Sequence, residues 1–239
     1  MHIKCPYFHS ISKAVEMPRY FHTYKMEIKE KTAEKTWKSI LKHVLENGTE
    51  FIDRKNRLCK EALNIVATIE DTKDITKPIE ILSSFKKWVY PSLEELKSSI
   101  LEKEDSPGYY YHYGSRAFNY SGINQINDYI LPLLKKDPTS KRGIVVFYGP
   151  EKDTLPLKKE TPGMVMMNFN IRNKKLHATV VIRSNDLFYG WPCNIVQAYF
   201  LADYISRELN VQIGSITTIS ISAHLFEEQF EYINKILHE

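Results

Sequence analysis

Apolar residues recur at helical spacing over residues 32–46, where Trp37, Ile40, Leu41, Val44 and Leu45 share a face and Asn47-Gly48 ends the pattern. A second helix is predicted over about 58–69, on Leu58, Ala62, Leu63, Ile65 and Val66. The stretch from Glu70 to Gly108 is polar, with a helix expected near Ser92–Lys103 after Pro91. Helix also fits Gly122–Lys136, where Pro132 must kink or end the last turn. The second half is more regular. Gly143–Gly149, Met164–Ile171 and Leu176–Arg183 are rich in Val, Ile and aromatics and read as strands, the last two joined by a hairpin turn at Arg172-Asn173-Lys174-Lys175.

Pro192 then enters a helix reaching about Leu209, with Ile195, Val196, Tyr199, Phe200, Leu201 and Ile205 spread over most of its faces, the pattern of a buried helix. Val211–Ser222 reads as a long strand and Glu227–Leu237 as a final helix. Alternating strands and helices of this kind predict one α/β (α+β) domain over residues 1–239, with a mixed sheet around a buried central helix.

Composition narrows the class. The 239 residues are 43% hydrophobic and 26% charged, which excludes wholesale disorder. No apolar run approaches the roughly 18–20 residues that a transmembrane helix needs, so no membrane partner is expected. The opening residues lack a basic start followed by an apolar core and do not read as a secretory leader. Cys5, Cys59 and Cys193 are odd in number and lack CxxC spacing. They predict neither a disulfide scaffold nor a cysteine zinc site, no metal is expected, and a reducing cytoplasm is the expected location. The net charge of +4 is spread over the chain, with paired lysines rather than a dense basic face. Nucleic acid is therefore not an expected partner, whereas a small anion suits the mild positive balance.

The chemistry concentrates in Arg183-Ser184-Asn185-Asp186-Leu187-Phe188-Tyr189-Gly190-Trp191-Pro192-Cys193-Asn194. This segment sets an arginine and a hydroxyl at a strand end, then a Gly-x-Pro turn, then an amide at a helix start. A guanidinium fork and a serine match phosphate oxygens. An asparagine presents both a donor and an acceptor to a base edge. Farther on, Ser222-Ala223-His224 ends another strand with an imidazole within reach of a sugar hydroxyl. Cys193 has two readings, a compact buried residue at a helix start and a nucleophile beside the base. Tyr109-Tyr110-Tyr111-His112-Tyr113 either packs or stacks a base or a pterin.

These residues resemble the thymidylate synthase family, whose motif combines Arg-Ser-x-Asp, Gly-x-Pro and Asn with a later His two residues before a Tyr. Asp137-Pro138-Thr139-Ser140-Lys141-Arg142 is similar to the family's Asp-Pro-x-Ser-Arg-Arg stretch, and Tyr113-Gly114-Ser115-Arg116 to its Tyr-Gly-x-x-(Trp)-Arg turn. Lys60-Glu61-Ala62-Leu63 is similar to the segment carrying the catalytic glutamate. The resemblance covers about residues 54–230, is strongest over 137–226, and is closest to the shorter, archaeal-type branch. It implies a homodimer with sheets packed back to back, binding a pyrimidine nucleoside monophosphate. It further implies phosphate contacts from Arg183 and Ser184, joined by Lys141 and Arg142 of the other subunit. Asn194 would read the pyrimidine, His224 the ribose and Asp186 the base or folate side, while Glu61 handles protons. Methylenetetrahydrofolate is the implied one-carbon donor.

The chain also departs from that pattern. Gly163 stands where the family's nucleophilic cysteine is expected, Asn168 replaces a glutamine, Lys141 an arginine and Phe226 the ribose-binding tyrosine. Only 15 residues follow His224 (239 − 224), fewer than the family's folate-closing tail needs. Ordinary thymidylate synthesis is therefore not expected. The implied activity is a C5 hydroxymethyl transfer without the usual cysteine. A nucleotide-binding homologue without catalysis, or an altered reaction on a nucleotide, is the alternative.

Overall fold

The computed structural model describes residues 26–104, 111–154 and 160–238; Cys5, Tyr109, Tyr110 and the Lys158-Lys159 pair lie outside them. In chain order the elements are β1 (Glu27–Glu30), α1 (Ala33–Asn47), β2 (Thr49–Ile52), β3 (Leu58–Ile69), α2 (Lys77–Ser83), α3 (Leu93–Leu101) and α4 (Tyr113–Phe118). A π-helical turn at Gln125–Ile130 runs directly into α5 (Leu131–Lys136), followed by β4 (Ile144–Val146) and the short α6 (Pro150–Asp153). The chain closes with β5 (Met164–Arg172), β6 (Lys175–Asp186), α7 (Gly190–Leu209), β7 (Gln212–Phe226) and, after a 3₁₀ turn, α8 (Phe230–His238).

One mixed sheet runs in the order β1-β3-β7-β6-β5-β4, with β2 on the remaining length of β3's outer edge. The β6–α7–β7 unit is parallel, and α7 crosses over the sheet to make it so. Trp191, Ile195, Val196, Ala198, Leu201, Ala202 and Ile205 of α7 are fully buried, so the expected buried central helix is present. Each of two buried indoles also finds an acceptor: Trp191 Nε1 donates to Thr218 Oγ1 at 3.0 Å, and Trp37 Nε1 to the Leu187 carbonyl at 2.8 Å.

Most predicted elements lie within a few residues of their expected bounds. Ser92 caps α3 through a reciprocal box with Glu95. The hairpin between β5 and β6 places Asn173 and Lys174 at φ 51° and 62°, the left-handed pair that a two-residue type I′ turn demands. Pro132 falls in the first turn of α5, where its missing N–H costs no helical bond.

One expectation is overturned. Residues 58–69 form strand β3, not a helix, so Glu61 sits on the sheet. Ile65, Ala67 and Ile69 bury alternate positions against the core, and β3 pairs with β7 from Cys59↔Phe226 to Ile69↔Ile216. The short apolar run fitted both periods, and the pairing demand of the fifteen-residue β7 decided between them. Strands β1 and β2 were not expected from the pattern.

The strands do not alternate regularly along their whole length. On β6 the buried parity runs Leu176, Ala178, Val180, Ile182 and then shifts to Asn185. On β7 it runs Ile216, Thr218, Ser220 and then Ala223, Leu225. The break falls in one row, between the register triplets Ile182–Ser220–Ile65 and Ser184–Ser222–Leu63. On β3 that row holds Asn64, at φ 60°. Beside it, β5 shifts register between Met164 and Met166.

A buried ion pair ties the loops to this sheet. Arg116 donates to both Asp153 carboxylate oxygens, at 3.0 and 2.9 Å, and its Nη1 also donates to the Phe147 carbonyl. Both side chains are essentially inaccessible. Gly114, two residues earlier, packs on the Glu102 carbonyl, where a Cβ would come within 2.0 Å of the oxygen. Removing one partner of such a pair leaves a buried charge unpaired. Asp153→Ala should therefore destabilise the fold by about 3–5 kcal/mol in urea denaturation, with an unchanged slope against denaturant.

Candidate active site

Beyond the row where alternation breaks, the sheet presents polar side chains on its outer face. Ser184, Ser222 and Leu63 form one register row across β6, β7 and β3, and Asp186, His224 and Glu61 form the next. Directly opposed residues project to the same face. Ser222 Oγ donates to Glu61 Oε1, so the carboxylate is oriented by its neighbour. The His224 ring lies edge-on to Phe226, with centroids 5.2 Å apart. The Arg57 guanidinium sits 3.7 Å over that phenyl ring and is held by Asp53 through bonds of 3.0 and 2.7 Å. Arg54 is exposed in the same β2–β3 turn. The sequence pattern gave neither arginine a role, because the stretch between the expected helices at 32–46 and 58–69 was assigned no element.

Arg183 and Ser184 are consecutive and both exposed, a consequence of the broken alternation. Arg183 is engaged with the loop before β5: Nε donates to the Pro162 carbonyl at 2.9 Å, and Nη2 to Thr161 O and Oγ1 at 3.0 and 2.6 Å. Its backbone N–H bonds the Gly163 carbonyl at 2.9 Å. The expected cysteine position is thus adjacent to the expected phosphate arginine. A Cβ added at Gly163 would meet only Tyr113 Oη at 3.6 Å and the Ser184 carbonyl at 3.7 Å, ordinary contacts. Tyr113 is buried and accepts from the Met164 N–H at 3.1 Å; burial pushes its phenol well above the usual range.

A cleft of about 590 Å³ opens between α3, residues 111–113 and the first turns of α7. Glu95, Tyr111, His112, Tyr189, Asn194 and Gln197 are among its lining residues. Asn194 keeps its amide without a protein partner among the described residues. Cys193 lines the same cleft but is 8% exposed. Burial, reinforced by the Asp186 charge, lifts its thiol to about 12. A helix start ordinarily favours a thiolate, but here desolvation outweighs the dipole and the sulfur stays protonated.

Asp186 closes the turn into α7. Its Oδ1 accepts the Phe188 and Tyr189 N–H groups at 2.9 and 3.0 Å, and Gln229 Nε2 donates to both oxygens. Burial nevertheless raises its carboxyl above the usual range, against the lowering effect of those bonds and of His224.

Two expected residues stand apart. Lys141 and Arg142 are exposed before β4 at the opposite side of the sheet. The register Ile144↔Asn168 and Asn170↔His177 puts Arg142 level with His177, six residues along β6 from Arg183. At about 3.3 Å per residue that is roughly 20 Å, so neither reaches Arg183 within one chain. Glu61 also lies away from the cleft, opposite His224 on the sheet. Among the described residues no three His, Cys, Asp or Glu side chains gather as metal ligands, and no helix is long and apolar enough to cross a membrane.

Comparison with known proteins identifies the family. A family model described as thymidylate synthase matches residues 59–239. The chain is 30% identical over 211 residues to a Methanosarcina barkeri protein named "Putative thymidylate synthase", covering 88% of this chain and 94% of that one. A Methanocaldococcus jannaschii protein of the same name is 29% identical over 224 residues, with 89% and 96% covered. The thymidylate synthase of Listeria monocytogenes is 28% identical over 177 residues, with 70% and 55% covered.

The contrast between the two thiol positions is measurable. Iodoacetamide at pH 8 should leave the Cys193 peptide almost unmodified, with a rate that climbs as pH approaches 12. Gly163→Cys should fold within about 1 kcal/mol of the parent. Its new thiol, beside Arg183, should be alkylated far faster than Cys193 in the same peptide map.

Proposed function

Because the chain belongs to the thymidylate synthase family, we propose that it binds a pyrimidine nucleoside monophosphate across the end of its sheet and transfers a one-carbon unit, as hydroxymethyl, to C5 of the base. The observation that carries this reading is the pair of polar register rows, Ser184–Ser222 and Asp186–His224–Glu61, lying between exposed Arg183 and the cleft that Asn194 lines. Arg183 and Ser184 take the phosphate once Arg183 exchanges Thr161 for it. His224 faces the sugar, and Asn194 matches donor and acceptor on the pyrimidine edge. Asp186, with its raised carboxyl, is the group that can hold or release a proton near the base.

The cleft suits a pterin-type donor such as methylenetetrahydrofolate: its volume is in the range of small-molecule sites, and Tyr111, Tyr113 and Tyr189 offer aromatic faces. That donor would supply the carbon, a water admitted to the cleft would supply the hydroxyl oxygen, and tetrahydrofolate would leave. The chain's own part is to orient the base, leave room for that water beside Tyr189 and Gln197, and accept the C5 proton. A homodimer pairing the half-exposed outer sheet faces would bring Lys141 and Arg142 of a second copy to the phosphate, which one chain alone does not do.

A second reading has its own support. Activating a pyrimidine at C5 ordinarily uses a nucleophile added at C6. Gly163 offers none, and Cys193 is held protonated. A nucleotide-binding homologue without turnover accounts for both. Tritium release from C5-labelled monophosphates, with and without methylenetetrahydrofolate, separates the two: release supports transfer, and binding without release supports the second reading. In either case Arg183→Ala should weaken nucleotide binding by about tenfold or more, the effect of losing a charged hydrogen bond, as read by calorimetry.

A further inference from the structure

We infer that Glu61 and His224 form a cradle for the 2′ and 3′ hydroxyls of a ribose, so that the nucleotide of this site is a ribonucleotide. The inference rests on the nucleotide reading above and extends it to the sugar. Glu61 and His224 are directly opposed across the antiparallel β3–β7 pair. Their Cβ atoms are therefore about 4.5–5.5 Å apart on the same face. Glu61 Oε1 already accepts from Ser222, which fixes the plane of the carboxylate. The other oxygen, and the imidazole nitrogens of His224, have no hydrogen-bond partner among the described residues. Leu63 and Ile221, nearby on β3 and β7, are 42% and 44% exposed in the single chain, on the side from which the proposed second copy would approach.

A carboxylate only accepts hydrogen bonds, so its ligand must bring donors. On a nucleoside monophosphate, the donors are the sugar hydroxyls and base N–H groups. The base end is served by Asn194, in the cleft on the far side of the Asp186 turn. Ser184 stands one strand and one row from His224, about 8 Å by strand spacing and rise. Glu61, one strand farther, is about 12 Å from Ser184 by backbone spacing, a span that a sugar and the two side chains fill. A carboxylate beside an imidazole meets two neighbouring hydroxyls, one bonded to each. A deoxyribose carries only one hydroxyl there and would leave the desolvated Glu61 oxygen unpaired, which is the arrangement that discriminates most strongly against a missing hydroxyl. Arg57, over Phe226, offsets the negative charge that this places near the nucleotide.

Calorimetric titration with UMP, dUMP, CMP and dCMP tests the assignment on the full chain and on Glu61→Ala, Glu61→Gln and Ser222→Ala. The full chain should bind its preferred ribonucleotide about tenfold or more tighter than the deoxy counterpart. Glu61→Ala should bring the ratio to within about twofold by weakening the ribonucleotide alone. Glu61→Gln should keep part of the preference, since its amide oxygen still accepts, and Ser222→Ala should reduce it by freeing the carboxylate. Thermal melting of each variant checks that the fold is kept. Equal or tighter binding of the deoxy form by the full chain, or equal loss of both forms in Glu61→Ala, overturns the cradle while leaving the nucleotide site intact. Failure of all four nucleotides to bind overturns the nucleotide reading itself.

Discussion

A regular strand sends consecutive side chains to opposite faces, and slipping by one residue moves the whole apolar set to the wrong side. In this protein β3, β7 and β6 change their buried parity together, in the row of Asn64, Ile221 and Arg183. Because the change is shared, β3, β7 and β6 stay in register across it, and Asn185, Ala223 and Leu225 continue the buried layer beyond it. What the shared break permits is a strand end on which Arg183 and Ser184, adjacent in sequence, both face outward. The proposed anion site, built from neighbouring residues, depends on that irregularity.

The same break separates two environments that the chemistry needs apart. On the outer face, Ser184, Ser222, Glu61 and His224 are half-exposed or exposed and surrounded by Arg183 and Arg57, a setting for phosphate and sugar. On the helix side, α7 brings Asn194 to a cleft walled by aromatic rings, while Asp186 holds the turn that leads into the helix. Burial dominates there. It holds Cys193 protonated, raises the Asp186 carboxyl, and keeps the Tyr113 hydroxyl neutral beside Gly163. The Arg116–Asp153 pair fixes the loop that carries Tyr113, so the Tyr113-Gly114-Ser115-Arg116 motif acts by positioning the wall of the cleft.

Local pattern alone carried much of the fold. The amphipathic face of α1, the capping box of α3, the turn residues between β5 and β6, and the all-round apolar α7 each state their structure through side-chain spacing, because their neighbours in space are also neighbours in sequence or a generic core. The residues of the candidate site, Arg183-Ser184, Asn194 after Gly-x-Pro and the strand-end His224, could be picked out because their side-chain types suit phosphate, base edge and sugar. Strand β3 was not. Its apolar positions satisfy a helix and a strand alike, and the choice lay with β7, some 160 residues away. Nor did the sequence locate Glu61 opposite His224 or expose Arg57 as a neighbour of Phe226. Those relations are cross-strand registers, set by pairing over the whole sheet and by one aligned break in alternation. The sequence by itself determined which groups are available; tertiary structure decided which share a face and which are too buried to ionise, because register and desolvation are properties of the assembled sheet and not of any segment.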